Sequence, residues 1–360
     1  MNQELLSILC CPSCGQHLEL INYQENSGPS DSAGTVACKT EVTSGVLHCL
    51  CGNAYPVVEG VARLIDSAQL TSSQTGEGNK ATAVGVKANG NDRNLKNDFD
   101  AIRESYSKAW GLFDYSADKT WGWTLDERKK IFLSDVGLTA NEVKGKCVLD
   151  AGCGNGTLTA LLGTLGIEIL GVDINDGLGA ANTNRSRYAG EQSENVQFVQ
   201  GNLFFPPVKP QTFDLIYCSG MVHRTPSPKE TFGKLVPLVK TGGRLYVWVT
   251  GPRSVPVRSF KWAGRQLKHF MSLDSVLLLC RGIAPVYQLA AEALDRVCVI
   301  NFRKRNVKEV TLDLFESFAP TYCHWHTEEE VLGWFKEHGF TNVHVSGSQK
   351  HGFGVYGDKI

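Results

Sequence analysis

Residues 148–156, VLDAGCGNG, constrain the possible fold more than any other stretch of the chain. An apolar run meets Asp150, glycines follow at alternate positions (Gly152, Gly154, Gly156), and a helical pattern starts at Thr157. Glycines spaced in this way let the backbone turn sharply and leave no Cβ between its N–H groups and a ligand. A phosphate-cradling dinucleotide loop uses G-x-G-x-x-G, whereas the spacing here is G-x-G-x-G with an acid two residues before the first glycine. An acid in that place repels an anion and suits a ligand that carries positive charge.

Further apolar runs end on polar residues. Residues 167–173 stop at Asp173, about twenty residues past the loop, the offset at which an acid on the next strand reaches a ribose diol. Residues 196–200 lead into Asn202 and Leu203, and residues 213–218 into Ser219, Met221 and His223. The turn at 240–244 opens a strand at 245–249, and helical patterns at 158–165 and 229–239 separate the strands. Such alternation predicts βαβ units and a parallel sheet covered on both faces. Ligands on these sheets lie outside the carboxyl ends of the strands, where the polar residues fall. S-adenosylmethionine (SAM), with its ribose, ammonium and sulfonium, meets these demands.

Residues 145–249 resemble the class I SAM-dependent methyltransferases through the acidic-glycine loop, Asp173, and the run FDLIYCSGMVH at 213–223. The resemblance implies an α/β, Rossmann-like fold with a seven-stranded sheet whose last strand is antiparallel. It implies that Asp150, Gly152, Gly154 and Gly156 surround the methionine part of SAM, with Ser219 nearby. Asp173 would take both ribose hydroxyls, Ile174 would lie against the adenine, and Leu203 would offer backbone to the adenine edge. Asn202 stands where the family usually has an aspartate, and its amide oxygen can still accept a hydrogen bond. His223 occupies a position that commonly carries histidine, with Arg224 in place of a second one; its near-neutral pKa makes it the candidate general base. A structural bond to the turn at Thr225 and Pro226 is the alternative reading of His223. Near the end, a capping box at Thr327 and Glu330 opens a helix that stops at Gly339. Two apolar segments follow, 341–345 and 353–356, joined by a polar turn at 346–351, and they resemble the family's closing pair of strands.

The front of the chain reads as a separate module, residues 1–65. Cys11 and Cys14 form a C-x-x-C pair and Cys49 and Cys51 a C-x-C pair, with a polar excursion between them at 22–45. Two such pairs can bring four thiolates to the corners of a tetrahedron, the geometry of structural zinc. Cys10, Cys38 and His48 are nearby substitutes. Residues 53–64, NAYPVVEGVARL, resemble the stretch that completes Trm112-like zinc ribbons, which precede the catalytic domain in a group of bacterial methyltransferases.

Residues 66–97 are poor in apolar side chains and read as a flexible linker into a methyltransferase domain at 98–360. Its lead-in, 98–144, is helical and aromatic (Tyr106, Trp110, Phe113, Tyr115, Trp121, Trp123), with a capping box at Thr124 and Glu127. The resemblance implies that this region folds over the cofactor. A helical insertion at 252–319, with patterns at 259–271, 275–279, 287–297 and 306–318, is expected to wall the acceptor site. Its basic residues Arg258, Lys261, Arg265 and Lys268, with 303–305, read as a solvated face, because the formal net charge is −1.

Twelve cysteines in a chain of 360 residues fit a reduced set better than a disulfide framework. With no basic-then-apolar leader visible, the expected location is the cytoplasm. The apolar stretch 276–300 is interrupted by charges and is not read as a membrane span. The leading functional reading is methyl transfer from SAM to a small-molecule or a lipid- or sugar-linked acceptor by in-line displacement. An rRNA-type methyltransferase with a zinc recognition module is the first alternative. The neutral charge and the absence of an Asn-Pro-Pro-aromatic signature at 218–221 argue against it, so nucleic acid is not an expected partner. A pseudoenzyme with an interaction platform is the second, against which the intact SAM residues speak.

Overall fold

The computed structural model describes residues 1–26, 41–65, 95–112, 123–298, 306–349 and 351–360. Most of the expected linker, Cys38, Phe113, Tyr115, Trp121 and the basic run 303–305 lie outside the described residues.

Four strands form the front: β1 (Leu18–Asn26), β2 (Glu41–Cys49), β3 (Ala54–Val58) and β4 (Val61–Leu64). The polar excursion expected at 22–45 is in part a hairpin, since β1 and β2 pair antiparallel well into it. Polar side chains do not prevent this, because a β-ladder is satisfied by backbone groups and the outer strand leaves its side chains in water. Helices α1 (Leu95–Leu112), α2 (Leu125–Val136) and the short α3 (Ala140–Val143) lead to the central sheet. Both α2 and α3 begin at reciprocal capping boxes, Thr124 with Glu127 and Thr139 with Glu142.

The sheet then runs through β5 (Cys147–Ala151), α4 (Thr157–Gly163), β6 (Glu168–Asp173), α5 (Ala181–Tyr188), β7 (Val196–Gly201), β8 (Phe213–Ser219), α6 (Pro228–Leu235) and β9 (Val239–Thr250). Helices α7 (Val255–Gln266), α8 (Leu273–Cys298) and α9 (Val307–Phe318) form the insertion, and α10 (Glu328–Glu337), β10 (Phe340–Gln349) and β11 (Gly352–Lys359) close the chain. Strand order is β1-β2-β3-β4-β7-β6-β5-β8-β9-β11-β10. Strands β7, β6, β5, β8 and β9 are parallel, and β11 runs antiparallel to both β9 and β10.

Three expectations need correction. The seven strands from β5 onward do not form a sheet of their own: β4 pairs parallel with β7, Ala62 opposite Val199, so the front strands continue the same sheet. Without β4, β7 would be an edge strand with unpaired N–H and C=O groups. Strand β9 starts at Val239, not after the 240–244 turn; Gly242, at φ +77°, absorbs the turn as an irregularity inside the strand. Helix α8 is continuous across Pro285, where two shorter helices were expected; the missing proline N–H forfeits one hydrogen bond that the surrounding turns tolerate.

Successive residues of the central strands feed opposite faces. Val148, Ile169 and Leu215 pack with Phe132 of α2 and Leu158 and Leu162 of α4. Leu149, Leu170 and Ile216 pack with Phe232 of α6 and Phe335 of α10. The second core continues into the front module, through Leu9, Leu18, Leu47 and Leu64. Among the described residues no helix is long and apolar enough to cross a membrane.

Candidate functional site

Strand order reverses between β5 and β8, and such a switch opens a crevice at the carboxyl ends of the strands. The loop after β5 occupies it. Gly152, Gly154 and Gly156 all have positive φ, +91°, +61° and +77°. A Cβ on Gly154 would stand 2.6 Å from the Trp110 ring of α1, and one on Gly156 2.6 Å from the Phe198 ring. Both conformation and close approach therefore demand glycine.

Two carboxylates flank this loop. Asp150, at the end of β5, is buried and accepts a hydrogen bond from Thr159 Oγ1 at 2.6 Å. Burial pushes its pKa up to about 6, with the hydroxyl of Thr159 and the charge of Arg128 opposing. Asp173, at the end of β6, accepts from the N–H of Gly154 at 2.9 Å and of Asn175 at 3.0 Å. Its pKa is also raised by burial, against the pull of those N–H groups. Asp173 thus ties the glycine loop to the second strand. The fully buried Asn175 adds a bond from Nδ2 to Gly154 O at 3.0 Å, and its Oδ1 has no partner among the described residues. The sequence reading passed over Asn175; a polar residue two places past the strand-ending acid was the available signal.

Ile174 belongs to an aromatic cluster of Phe99, Tyr106, Phe204, Phe205 and Tyr322. Phe99 and Tyr106 come from α1, Phe204 and Phe205 from the turn after β7 and Tyr322 from the segment before α10; Phe99 and Phe204 lie 5.4 Å apart. Asn202 opens that turn: its Oδ1 accepts from Phe204 N–H at 2.9 Å, so one lone pair expected for a ligand is already engaged. Leu203 is buried in the main core, and Ser219 is exposed at the end of β8. Met221 packs on the opposite side of the loop, where a Cβ on Gly152 would meet it at 2.7 Å. The Tyr106 hydroxyl is buried without a partner among the described residues, close enough to feel both Asp173 and Arg224.

His223 is buried beneath the crevice. Its Nε2 meets Thr250 Oγ1 at 3.0 Å, its Nδ1 has no partner among the described residues, and its carbonyl accepts from His324 N–H at 2.9 Å. Burial and the neighbouring charge of Arg224 hold its pKa well below that of a free imidazole. A group that resists protonation is a poor general base. The Thr225 hydroxyl bonds Val222 O at 2.8 Å, so the following turn holds itself together without the imidazole.

At the front, Cys11, Cys14, Cys49 and Cys51 converge, with all four sulfurs within 4.8 Å of one another. Cys11 Sγ is 3.7 Å from Cys51 Sγ, and Cys14 Sγ is 3.5 Å from Cys49 Sγ. Tetrahedral zinc with Zn–S bonds of about 2.3 Å has sulfur–sulfur edges of about 3.8 Å. Gly15 and Gly52, at φ +72° and +93°, return their N–H groups to Cys11 O and Cys49 O at 2.8 and 2.9 Å. Tyr55 Oη, 3.3 Å from Cys11 Sγ, and Ser13 form the surrounding shell. Cys10 faces away, towards Pro206 O, and neither Cys10 nor His48 joins the cluster.

Residues 126–345 match the family described as "Methyltransferase domain". The chain belongs to this methyltransferase family. Residues 2–60 match a second family, "Trm112p-like protein". The ubiquinone biosynthesis O-methyltransferase of Coxiella burnetii is 32% identical over 104 residues, which is 29% of this chain and 43% of that protein. The protein of the same description from Paraburkholderia phymatum is 33% identical over 103 residues, 28% of this chain and 43% of the relative. The chain therefore spans less than half the length of these curated relatives. Among solved structures, the N-methyltransferase NodS of Bradyrhizobium japonicum, in complex with S-adenosylhomocysteine (SAH), is 11% identical. It covers 72% of this methyltransferase-family chain and 98% of its own, at a TM-score of 0.43, a likeness too slight to carry an argument.

Proposed function

We propose that the chain is a SAM-dependent methyltransferase that acts on a small-molecule acceptor, free or linked to a lipid or sugar. One observation carries the reading: two carboxylates, the buried Asp150 and the half-buried Asp173, stand at the ends of adjacent strands beside a loop with glycine at every second position. Buried carboxylates are costly unless a cation or several donors answer them. Asp150 would answer the ammonium of the methionine part, and Asp173, already oriented by Gly154 N–H, would present its carboxylate to the ribose. Ile174, with Phe99 and Phe204 behind it, would give the adenine an apolar wall. SAM, when bound, supplies an already activated methyl group for in-line displacement at carbon. The protein's share is then alignment and exclusion of water, to which the rings of α1 contribute by covering the loop.

The neutral, buried His223 is better suited to positioning than to proton abstraction: it braces Thr250 and residue 324 where the acceptor would sit. The buried Tyr106 hydroxyl, which feels the charges of Arg224 and Asp173, is a further candidate donor to the acceptor. The four sulfurs are proposed to hold one structural zinc ion, a closed site that supplies folding energy rather than chemistry.

Calorimetric titration with SAH and sinefungin tests the reading. Both should bind with affinity in the micromolar range or tighter, NAD should not bind, and Asp173→Ala should abolish binding. A chain that binds NAD and ignores both SAM analogues is not a methyltransferase of this kind.

A further inference from the structure

Two of the insertion's basic residues, Lys261 and Arg265, leave the solvated face expected of them, whereas Arg258 is exposed as expected. Lys261 and Arg265 stand four residues apart on α7, hence on one face. Arg265 is only 9% exposed, and its Nη1 has no partner among the described residues. Its guanidinium lies 5.4 Å from the Trp325 ring, whose buried Nε1 likewise has no acceptor among the described residues. Arg258 caps the same ring at 5.2 Å.

Two more cations join them from distant parts of the chain. Arg224 follows β8 and donates to Glu316 O of α9 at 3.1 Å; Arg253 follows β9 and donates to His351 O at 2.8 Å. Burial lowers the Lys261 pKa to about 8, and the like charges of Arg224, Arg253 and Arg265 add to the shift. Cys323, half-buried, sits among the four, and Glu316 is the acid that acts on Arg224. Four cations drawn into one half-buried place, with Arg265 Nη1 and Trp325 Nε1 lacking acceptors among the described residues, make a donor set suited to an anion. It adjoins His223 and the orphan hydroxyl of Tyr106, at the same carboxyl edge of the sheet as the glycine loop.

We propose that the methyl acceptor carries an oxyanion, a carboxylate or a phosphate, and that Arg265 and Lys261, with Arg224 and Arg253, hold it beside the methyl-transfer site. The inference rests on reading the crevice as a SAM site. Guanidinium groups suit such oxygens because their N–H donors pair with two oxygens at once. A bound oxyanion would also accept from the Trp325 indole, and its charge would offset the mutual repulsion of the cations.

The test uses the full chain loaded with SAH and follows the fluorescence of its tryptophans, Trp325 among them, with calorimetry in parallel. Benzoate, phenyl phosphate and the neutral benzyl alcohol are titrated separately. Saturable binding of either anion, and none of benzyl alcohol, is the expected result; the tighter anion identifies which oxyanion the site takes. Arg265→Gln and Lys261→Met should each weaken that binding about tenfold or more while SAH affinity stays unchanged, which also shows that the variants fold. Absence of anion binding by SAH-loaded protein, or equal binding by both variants, overturns the proposal and leaves the SAM reading standing. A parallel loss of SAH affinity in the variants would mean that the cations hold the cofactor's own carboxylate, and this too overturns it. Failure of the unmodified chain to bind SAH removes both readings together.

Discussion

At the residue scale, the tension is between what Asp150 does for the crevice and what its burial costs the fold. A carboxylate whose pKa rises from 3.8 to about 6 on folding keeps its proton longer in the native state than in the unfolded one. Its contribution is therefore most favourable in acid and declines as pH climbs through that window; above pH 6 the penalty amounts to about 3 kcal/mol at most. Asp150→Asn should raise the melting temperature of the ligand-free protein at pH 7 by several degrees, with the gain shrinking towards pH 4, and should weaken SAH binding sharply. Thermal melts across pH, with and without SAH, check both halves. His223 carries the opposite sign. Its folded pKa lies below the free value, so the unfolded chain binds more protons and stability falls as pH drops below about 6.5. Its imidazole resonances should not titrate between pH 6 and 8 by NMR. A midpoint inside that range would restore it as a base.

The element that matters most for the architecture is β4. Its four residues sit between β3 and β7, hydrogen-bonded on both sides, and Val61, Ala62 and Leu64 are buried. A proline at position 62 would remove a ladder hydrogen bond from an interior strand, whichever neighbour that N–H serves. Ala62→Pro should cost about 1–3 kcal/mol, the penalty of leaving a buried carbonyl without its donor, read from the denaturant midpoint. A surface change at Glu59, in the preceding turn, should cost little by comparison. Helix α1 works differently. It brings Phe99, Tyr106 and Trp110 over the ends of β5 and β6, so its register decides what the glycine loop faces.

For the whole molecule, the consequence of a shared sheet and a shared core is cooperativity. Leu9, Leu18, Leu47 and Leu64 pack in the same cluster as Leu170, Val199 and Val208, and Cys10 N–H bonds Pro207 O at 3.0 Å. Loss of the proposed zinc should therefore destabilise the chain as one unit. Metal analysis should find one zinc per chain, reduced in Cys11→Ser, and calorimetry of that variant should show a single transition moved to lower temperature. A separate early transition, with the remainder melting unchanged, would show that the front module unfolds independently.

How far the sequence could be read follows from the range of each interaction. The acidic-glycine loop, the strand-ending Asp173, the capping box at Thr124, the N-cap at Thr327 (without the reciprocal Glu330 bond expected of it) and the two cysteine pairs are local patterns, in which steric or hydrogen-bonding demands fall within a few residues. They were legible, and with them the α/β class and the candidate cofactor ligands. Pairing of β4 with β7, Trp110 on Gly154, Asn175 on the loop, and the gathering of Arg224, Arg253, Lys261 and Arg265 join segments far apart in the chain. Net charge and periodicity treat each cation as a separate surface residue. Only packing decides which of them lose their water together, because desolvation depends on neighbours that local sequence does not specify.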